Sequence, residues 1–291
     1  MSTDFTRFAE TVKTEMSRHL KDYDITDVVV TKLNDIKLQG IVARHMGENA
    51  GATIYLDGAF KDYTNGEDLE SIIDSMVDVI RCADVYRPGT KNMDITFDSI
   101  RDDLSLRLID TELNREYLTE HPHRDIGAGL AVVADVDMGD GYSFVITDSI
   151  AEDYDENILF DTAMQNMVSK HRAKLQSLEG ALFGEDRNLL DGGFRHIEGM
   201  HTLMLEGMDS FGASVLAYEG VTEQIREMYG GDYFILPSSL HEVILVGDDG
   251  SMRAEDLKQM VIQANRTVVE PADVLSDSVF HFGAKGLQRV I

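Results

Sequence analysis

Tryptophan is missing from the sequence, and cysteine occurs once, at Cys82. A single thiol excludes an internal disulfide, so the fold must rest on packing alone, and a reducing cytoplasm is the expected compartment. Proline is confined to Pro88, Pro122, Pro237 and Pro271, which leaves long stretches free to form regular elements. No run of about 18 uninterrupted apolar residues occurs, so no membrane span is expected. The opening Met1-Ser2-Thr3-Asp4 lacks the basic region and apolar run of a signal peptide. Positive charge is scarce as well: 26 Lys+Arg face 53 Asp+Glu, a formal net charge of −27. Such a chain repels phosphate backbones, which argues against direct nucleic-acid binding. The acids are spread along the whole chain. Their simplest role is solubility; a sharper one is a surface that competes with nucleic acid for a basic partner.

What is present suffices for a core. Of 291 residues, 43% are hydrophobic, too many for a disordered chain. Phe5, Phe8, Val12 and Met16 recur at helical spacing. Val28-Val29-Val30, a turn at Asn34-Asp35, and 37–45 read as two strands, with a third over 53–56. Leu69, Ile72, Ile73, Met76, Val77 and Ile80 mark an amphipathic helix over 67–83, whose acidic first turn suits the positive end of the helix dipole. A linker through Arg87-Pro88-Gly89-Thr90 leads to an expected long helix over 97–120, stopped at His121-Pro122 because the residue before proline avoids helical geometry. The strand 130–136 turns at Asp140-Gly141 into 142–146. A helix is expected over 156–178, a short strand over 213–217, and a short helix over 221–228 closed by Gly230-Gly231. The strands 233–236 and 242–246 pair around Pro237-Ser238-Ser239. Val243-Ile244-Leu245-Val246 reads as a buried strand, followed by a helix over 254–265.

Two strands, a turn and an amphipathic helix thus recur near 28–83, 130–178 and 233–266. The expected class is α+β: repeated strand-strand-helix units with mixed or antiparallel sheets covered by amphipathic helices. The organisation reads as an N-terminal unit over 1–90, a central unit over 91–179 and a C-terminal unit over 200–291. A glycine-rich seam over 180–199 separates the last two, and the whole makes one or two compact domains.

The chemistry-bearing residues are few. His121-Pro122-His123-Arg124, with Asp125 adjacent, is the densest polar cluster, yet two histidines do not complete a metal site. A helix-to-strand corner tied to backbone carbonyls is the simpler reading. Asp135-Val136-Asp137-Met138-Gly139-Asp140-Gly141 resembles a calcium loop but fails at its fifth, sixth and twelfth positions. Ser238, Ser239, His241 and Glu242 lie close in sequence. No glycine flanks either serine as a nucleophile elbow requires, so this segment reads as a turn. His196 and His201 flank Gly199-Met200 near Met204 and Met208; flexible core filling outweighs soft-metal binding. Cys82 reads as an inert packed thiol, and Gly247-Asp248-Asp249-Gly250 as an acidic turn. The weak catalytic candidates are His123, Arg124, Ser239 and His241. The residues suited to an acidic interaction face are Asp74, Asp78, Asp248 and Asp249. No cofactor and no metal is expected.

Three stretches together resemble a family. Ala52-Thr53-Ile54-Tyr55-Leu56 is followed by Tyr63-Thr64-Asn65-Gly66, and His121-Pro122-His123-Arg124 by Leu130-Ala131-Val132-Val133. The longest runs from Gly231-Asp232-Tyr233 through His241 to Val246, and continues through Asn265-Arg266-Thr267 and Val274 to Val279. In these the chain resembles unknown-function family 5688, uncharacterised proteins of anaerobic gut bacteria. The resemblance spans nearly the whole chain and is least in 180–200. It implies no activity, only the accessory role of a family found on chromosomes and mobile elements alike.

The leading expectation is therefore a non-catalytic acidic interaction or regulatory protein that meets a basic protein partner. It could serve as a nucleic-acid mimic inhibiting a nucleic-acid enzyme or a defence system. One alternative is a hydrolase in which His123, His241 and an acid converge. The other is a structural protein with no dedicated partner.

Overall fold

The computed structural model describes residues 3–48, 51–86, 95–137, 143–192, 196–208, 210–237 and 239–291. The chain divides into two compact units, Met1–Lys32 with Ile36–Ile95, and Leu33–Asp35 with Thr96–Ile291. The spans 91–179 and 200–291 read from the sequence thus lie almost wholly in the second unit. The class is α+β with antiparallel sheets.

In the first unit, α1 (Thr3–His19) turns Phe5, Phe8, Val12 and Met16 inward. Strands β1 (Tyr23–Thr31), β2 (Lys37–His45) and β3 (Ala52–Tyr55) form an antiparallel sheet in that order. Leu56, expected to end the third strand, instead opens α2 (Leu56–Thr64). α3 (Leu69–Tyr86) buries Ile72, Ile73, Met76, Val77 and Ile80 against the same core as Ile25, Ile41 and Ala43 of the sheet. Each such side chain contributes roughly 1.5–3 kcal/mol of burial. Phe60 of α2 closes the cluster, its ring 5.0 Å from Phe5 and 5.3 Å from Phe8. The stripe leaves Asp74 and Asp78 exposed. It also leaves Cys82 exposed, so the packed thiol expected there is a misreading: the helix buries residues on either side of Val77 and Ile80, not the face that carries Cys82.

The second unit opens on α4 (Phe97–Ile100), a tight turn over Arg101–Asp103, and β4 (Leu104–Asp110). The long helix expected over 97–120 is therefore absent. Leu104, Leu106 and Leu108 alternate with period two, which is the strand signal, and the turn over 111–120 ends in a single tight turn at Tyr117–Thr119. β5 (His123–Gly127), β6 (Leu130–Asp137) and β7 (Ser143–Val145) complete the sheet. β4 pairs the length of β6, and β5 and β7 share the opposite edge. The turn expected at Asp140-Gly141 and the linker at 87–90 lie outside the described residues. Ser214 caps the free edge of β4: its Oγ accepts from Leu108 N at 3.0 Å and donates to Leu106 O at 2.9 Å, standing in for a neighbouring strand. Ser214 belongs to a 3-10 helix, Gly212–Ala217, where a strand was expected.

After α5 (Asp148–Ala151), α6 (Glu156–Lys170) is capped by Asp155, whose side chain accepts from Ile158 N. It stops at His171, and 173–177 forms β8 (Ala173–Ser177) instead of the expected helical tail. The change from helical period to the alternation of Lys174, Leu175 and Gln176 carries no proline or glycine to announce it. Then follow α7 (Leu178–Leu182), β9 (Met200–Leu205), α8 (Val221–Tyr229), β10 (Tyr233–Leu236), β11 (Val243–Gly247), α9 (Ala254–Thr267), β12 (Phe280–Gly283) and β13 (Gly286–Arg289). A six-stranded antiparallel sheet runs β13-β12-β10-β11-β9-β8. Leu257 and Val261 of α9 pack on Phe234, Leu236 and Val246 of its two central strands.

Buried polar groups are tied in pairs. Asp110, 1% exposed, accepts from Ser276 Oγ and from Arg289 Nη2 at 3.0 Å. Arg289 also donates to Ala128 O, Gly129 O, Glu112 and Ser278, all between 3.1 and 3.3 Å. Asn34 and Asp35 belong to this unit: the Asn34 amide side chain donates to Pro271 O and Val274 O at 2.9 Å, and the Asp35 carboxylate accepts from the amides of Glu116 and Tyr117. No helix among the described residues is long and apolar enough to cross a membrane.

Candidate functional site

The antiparallel register brings the first residue of β10, the last of β11 and the first of β9 to one end of the six-stranded sheet, because Tyr233 pairs Gly247 and Val246 pairs Met200. α8 ends there too, on Gly230 in left-handed geometry at φ 71°. These ends enclose a pocket of about 560 Å³. Its floor is Tyr229, Met200, Val246 and Met252, and its polar walls carry Glu198, Asp232, Asp248, Asp249, His196 and Ser251. Among the described residues no lysine or arginine lines it. Gly247 lets the strand lie close to the Tyr229 ring, which a Cβ there would approach to 3.1 Å.

Each carboxylate has a defined anchor. Asp232 accepts from Arg226 Nε at 2.7 Å, and Asp248 Oδ2 lies 3.0 Å from His281 Nε2. Asp249 accepts from the side chain and the backbone N–H of Ser251, the latter at 2.8 Å, and these bonds hold its carboxyl below the usual carboxylate range. Glu198 stands 3.4 Å from His196 Nε2. Beneath the floor, the Tyr229 hydroxyl meets His201 Nδ1 at 2.8 Å and reaches Gly199 O and Leu245 O. Burial pushes the His201 imidazole down and the Tyr229 phenol up, so both are uncharged at neutral pH. The pocket therefore offers fixed negative charge over an aromatic floor. That arrangement suits a cation.

Of the residues nominated from sequence, Asp248 and Asp249 line this pocket, while Asp74 and Asp78 stand exposed on α3 of the first unit. His123 heads β5, exposed, with Nδ1 3.1 Å from His121 O. His121 itself is buried, stacked on Tyr117 with ring centroids 3.9 Å apart, and bonded to Tyr117 O at 2.7 Å. Arg124 pairs with Asp161 at 2.7 Å, donates to Asn157 O and lies over Phe160. Both histidines thus engage backbone carbonyls. His241 precedes β11, and Ser239 Oγ accepts from its backbone N–H, not from its ring. Ser238 lies outside the described residues. His123 and His241 share no hydrogen bond, ion pair or ring contact. Among the described residues no group of three His, Cys, Asp or Glu is placed to hold a metal ion.

Sequence reasoning assigned no site role to Asp232 or Tyr229, set His201 aside as core filling, and did not pair Arg107 with Asp135, which the fold buries together. Burial raises the Asp135 carboxyl, opposed by Arg107. The Arg107 guanidinium lies 3.7 Å over the Phe211 ring, and its Nε has no hydrogen-bond partner. A signal for the pocket was present: Gly230-Gly231-Asp232 and Gly247-Asp248-Asp249-Gly250 bracket one hairpin, so an antiparallel pairing must bring both acidic turns to the same end.

No curated protein and no solved structure matches the chain. One family model, described as a family of unknown function (DUF5688), matches residues 5–284, nearly the entire length, and the chain belongs to that family.

Proposed function

We propose that this chain is a non-catalytic, acidic interaction protein that binds a basic protein partner, and that the pocket at the end of the six-stranded sheet receives a lysine or arginine side chain of that partner. The observation that carries this reading is the pocket lining, which among the described residues holds four carboxylates and no lysine or arginine. The charge distribution supports it. Residues 33–35 and 96–291 hold 37 Asp+Glu against 15 Lys+Arg, whereas the first unit holds 16 against 11. Most of the net charge thus sits on the unit that carries the pocket. A partner of matching chemistry is a nucleic-acid-binding enzyme, whose basic groove an acidic surface would occupy in place of phosphate. The hydrolase alternative requires His123, His241 and an acid to converge, and the absence of any contact between the two histidines lends it no support.

The test is capture of partners on the immobilised chain at low and high salt, with Asp248→Lys/Asp249→Lys as the control. Exposed charges are screened over about 8–10 Å at physiological salt, so capture should fall steeply with salt and with charge reversal. A partner that is held equally in both salts, and by both proteins, would overturn the reading.

A further inference from the structure

Ahead of β11 the fold holds one strained residue against a titratable ring. Phe211 adopts φ 60° and ψ 22°, left-handed backbone that a bulky side chain seldom takes. Its surroundings hold it there. The amide donates to His241 Nδ1 at 3.3 Å, and the ring lies beneath the Arg107 guanidinium. The next residues are pressed onto the same turn: Ala213 N donates to Leu240 O at 3.1 Å, and a Cβ on Gly212 would sit 2.3 Å from His241 O.

The hydrogen bond fixes the tautomer. Nδ1 can accept from Phe211 only as a bare lone pair, so the ring proton sits on Nε2, which lies 3.5 Å from Asp273 Oδ2. We propose that His241 is a pH-sensitive latch, whose neutral ring holds Phe211 in its left-handed conformation and whose protonation releases it. Adding a proton to Nδ1 sets two donors face to face and breaks the bond to Phe211. The same proton turns the Nε2 contact with Asp273 into an ion pair, so charging the ring and opening the latch favour each other. A fall in pH therefore opens the latch and a rise closes it. His241 is well placed to sense it, with 39% of its side chain exposed.

Among the described residues the charged groups around the ring are Asp273 at Nε2, Glu242 next in sequence, and Arg107 on the far side of Phe211, itself paired with Asp135. Glu242 is a competing titration close by, its carboxyl raised by burial and lowered by His241. The experiment must separate it from His241. Hydrogen exchange of the Phe211 amide, corrected for intrinsic rate, is measured at pH 7.5 and 5.5 in the parent and in His241→Gln, whose side-chain carbonyl can accept from Phe211 without titrating. Protection in the parent should fall on the order of tenfold at the lower pH, and stay level in the variant. An NMR titration supplies the second measurement: the His241 ring and the Phe211 amide should share one midpoint. Unchanged protection in the parent, an equal fall in His241→Gln, or two separate midpoints would each overturn the proposal.

Discussion

Replacing Arg289 with methionine keeps the aliphatic bulk and removes one guanidinium, and the structure sets what that should cost. Asp110 would keep Ser276 and the Glu112 amide, which bonds its Oδ1 at 2.8 Å, but would lose its cationic partner. Gly129 O, Ala128 O and Ser278 Oγ would each lose a donor. Removing one member of a buried pair costs about 3–5 kcal/mol, because the other charge stays buried without compensation. The low end applies, since 20% of the Arg289 side chain reaches solvent against 1% for Asp110. With a urea dependence of about 2–3 kcal/mol/M for a unit of this size, a loss of about 3 kcal/mol moves the midpoint down by about 1–1.5 M. The assay is urea unfolding by circular dichroism of the parent, Arg289→Met, and Arg289→Met with Asp110→Asn. The double variant should recover at least half the loss, because a neutral amide leaves no stranded charge. A shift below about 0.3 M for Arg289→Met, or no recovery in the double variant, would refute the reasoning.

Three further outcomes follow from the same geometry. Ile244→Asp places a carboxylate at a half-buried position of a central strand, against the cluster of Phe234, Val246 and Leu257, and should cost about 1–3 kcal/mol, read as the yield and melting temperature of purified protein. His121→Ala removes a buried stacked ring and a carbonyl bond and should cost about 1–2 kcal/mol, whereas exposed His123→Ala should cost under about 0.5 kcal/mol, both read by thermal melting. Glu242 has its carboxyl raised by burial, so the folded chain holds that proton more tightly than the unfolded chain, and stability is lost as pH rises through the raised value. Glu242→Gln should therefore match the parent near pH 3.5 and exceed it modestly at pH 7, by well under about 1 kcal/mol because the side chain is only half buried.

How far the sequence could be read is clearest where one periodicity ran unbroken. α1, α3, α8 and α9 each carried an apolar stripe with a single period, and the pairing of β10 with β11 followed from two apolar runs around Pro237. Readings failed where the period changed without a breaker. At 97–110 a single helical turn passes into β4, and at 170–173 α6 passes into β8, in both cases with no proline or glycine between. The strand expected at 213–217 failed for another reason: Ser214 satisfies the edge of β4 with its side chain, a tertiary role that composition does not encode. The candidate site shows the same division. Asp248 and Asp249 could be named from a glycine-flanked acidic turn. Asp232 joins them only through strand register, and Phe211 meets His241 only through the fold.

The central claim is that a basic protein partner is bound through charge. The most direct measurement is the affinity of the captured and identified partner for the purified chain at about 50 and 300 mM salt, for the parent and for Asp248→Lys/Asp249→Lys, with duplex DNA as competitor. The account predicts a partner rich in lysine and arginine, affinity falling at least about tenfold between the two salts, a further loss on charge reversal, and displacement by DNA. A neutral or acidic partner, or affinity indifferent to salt, charge reversal and DNA, would contradict it.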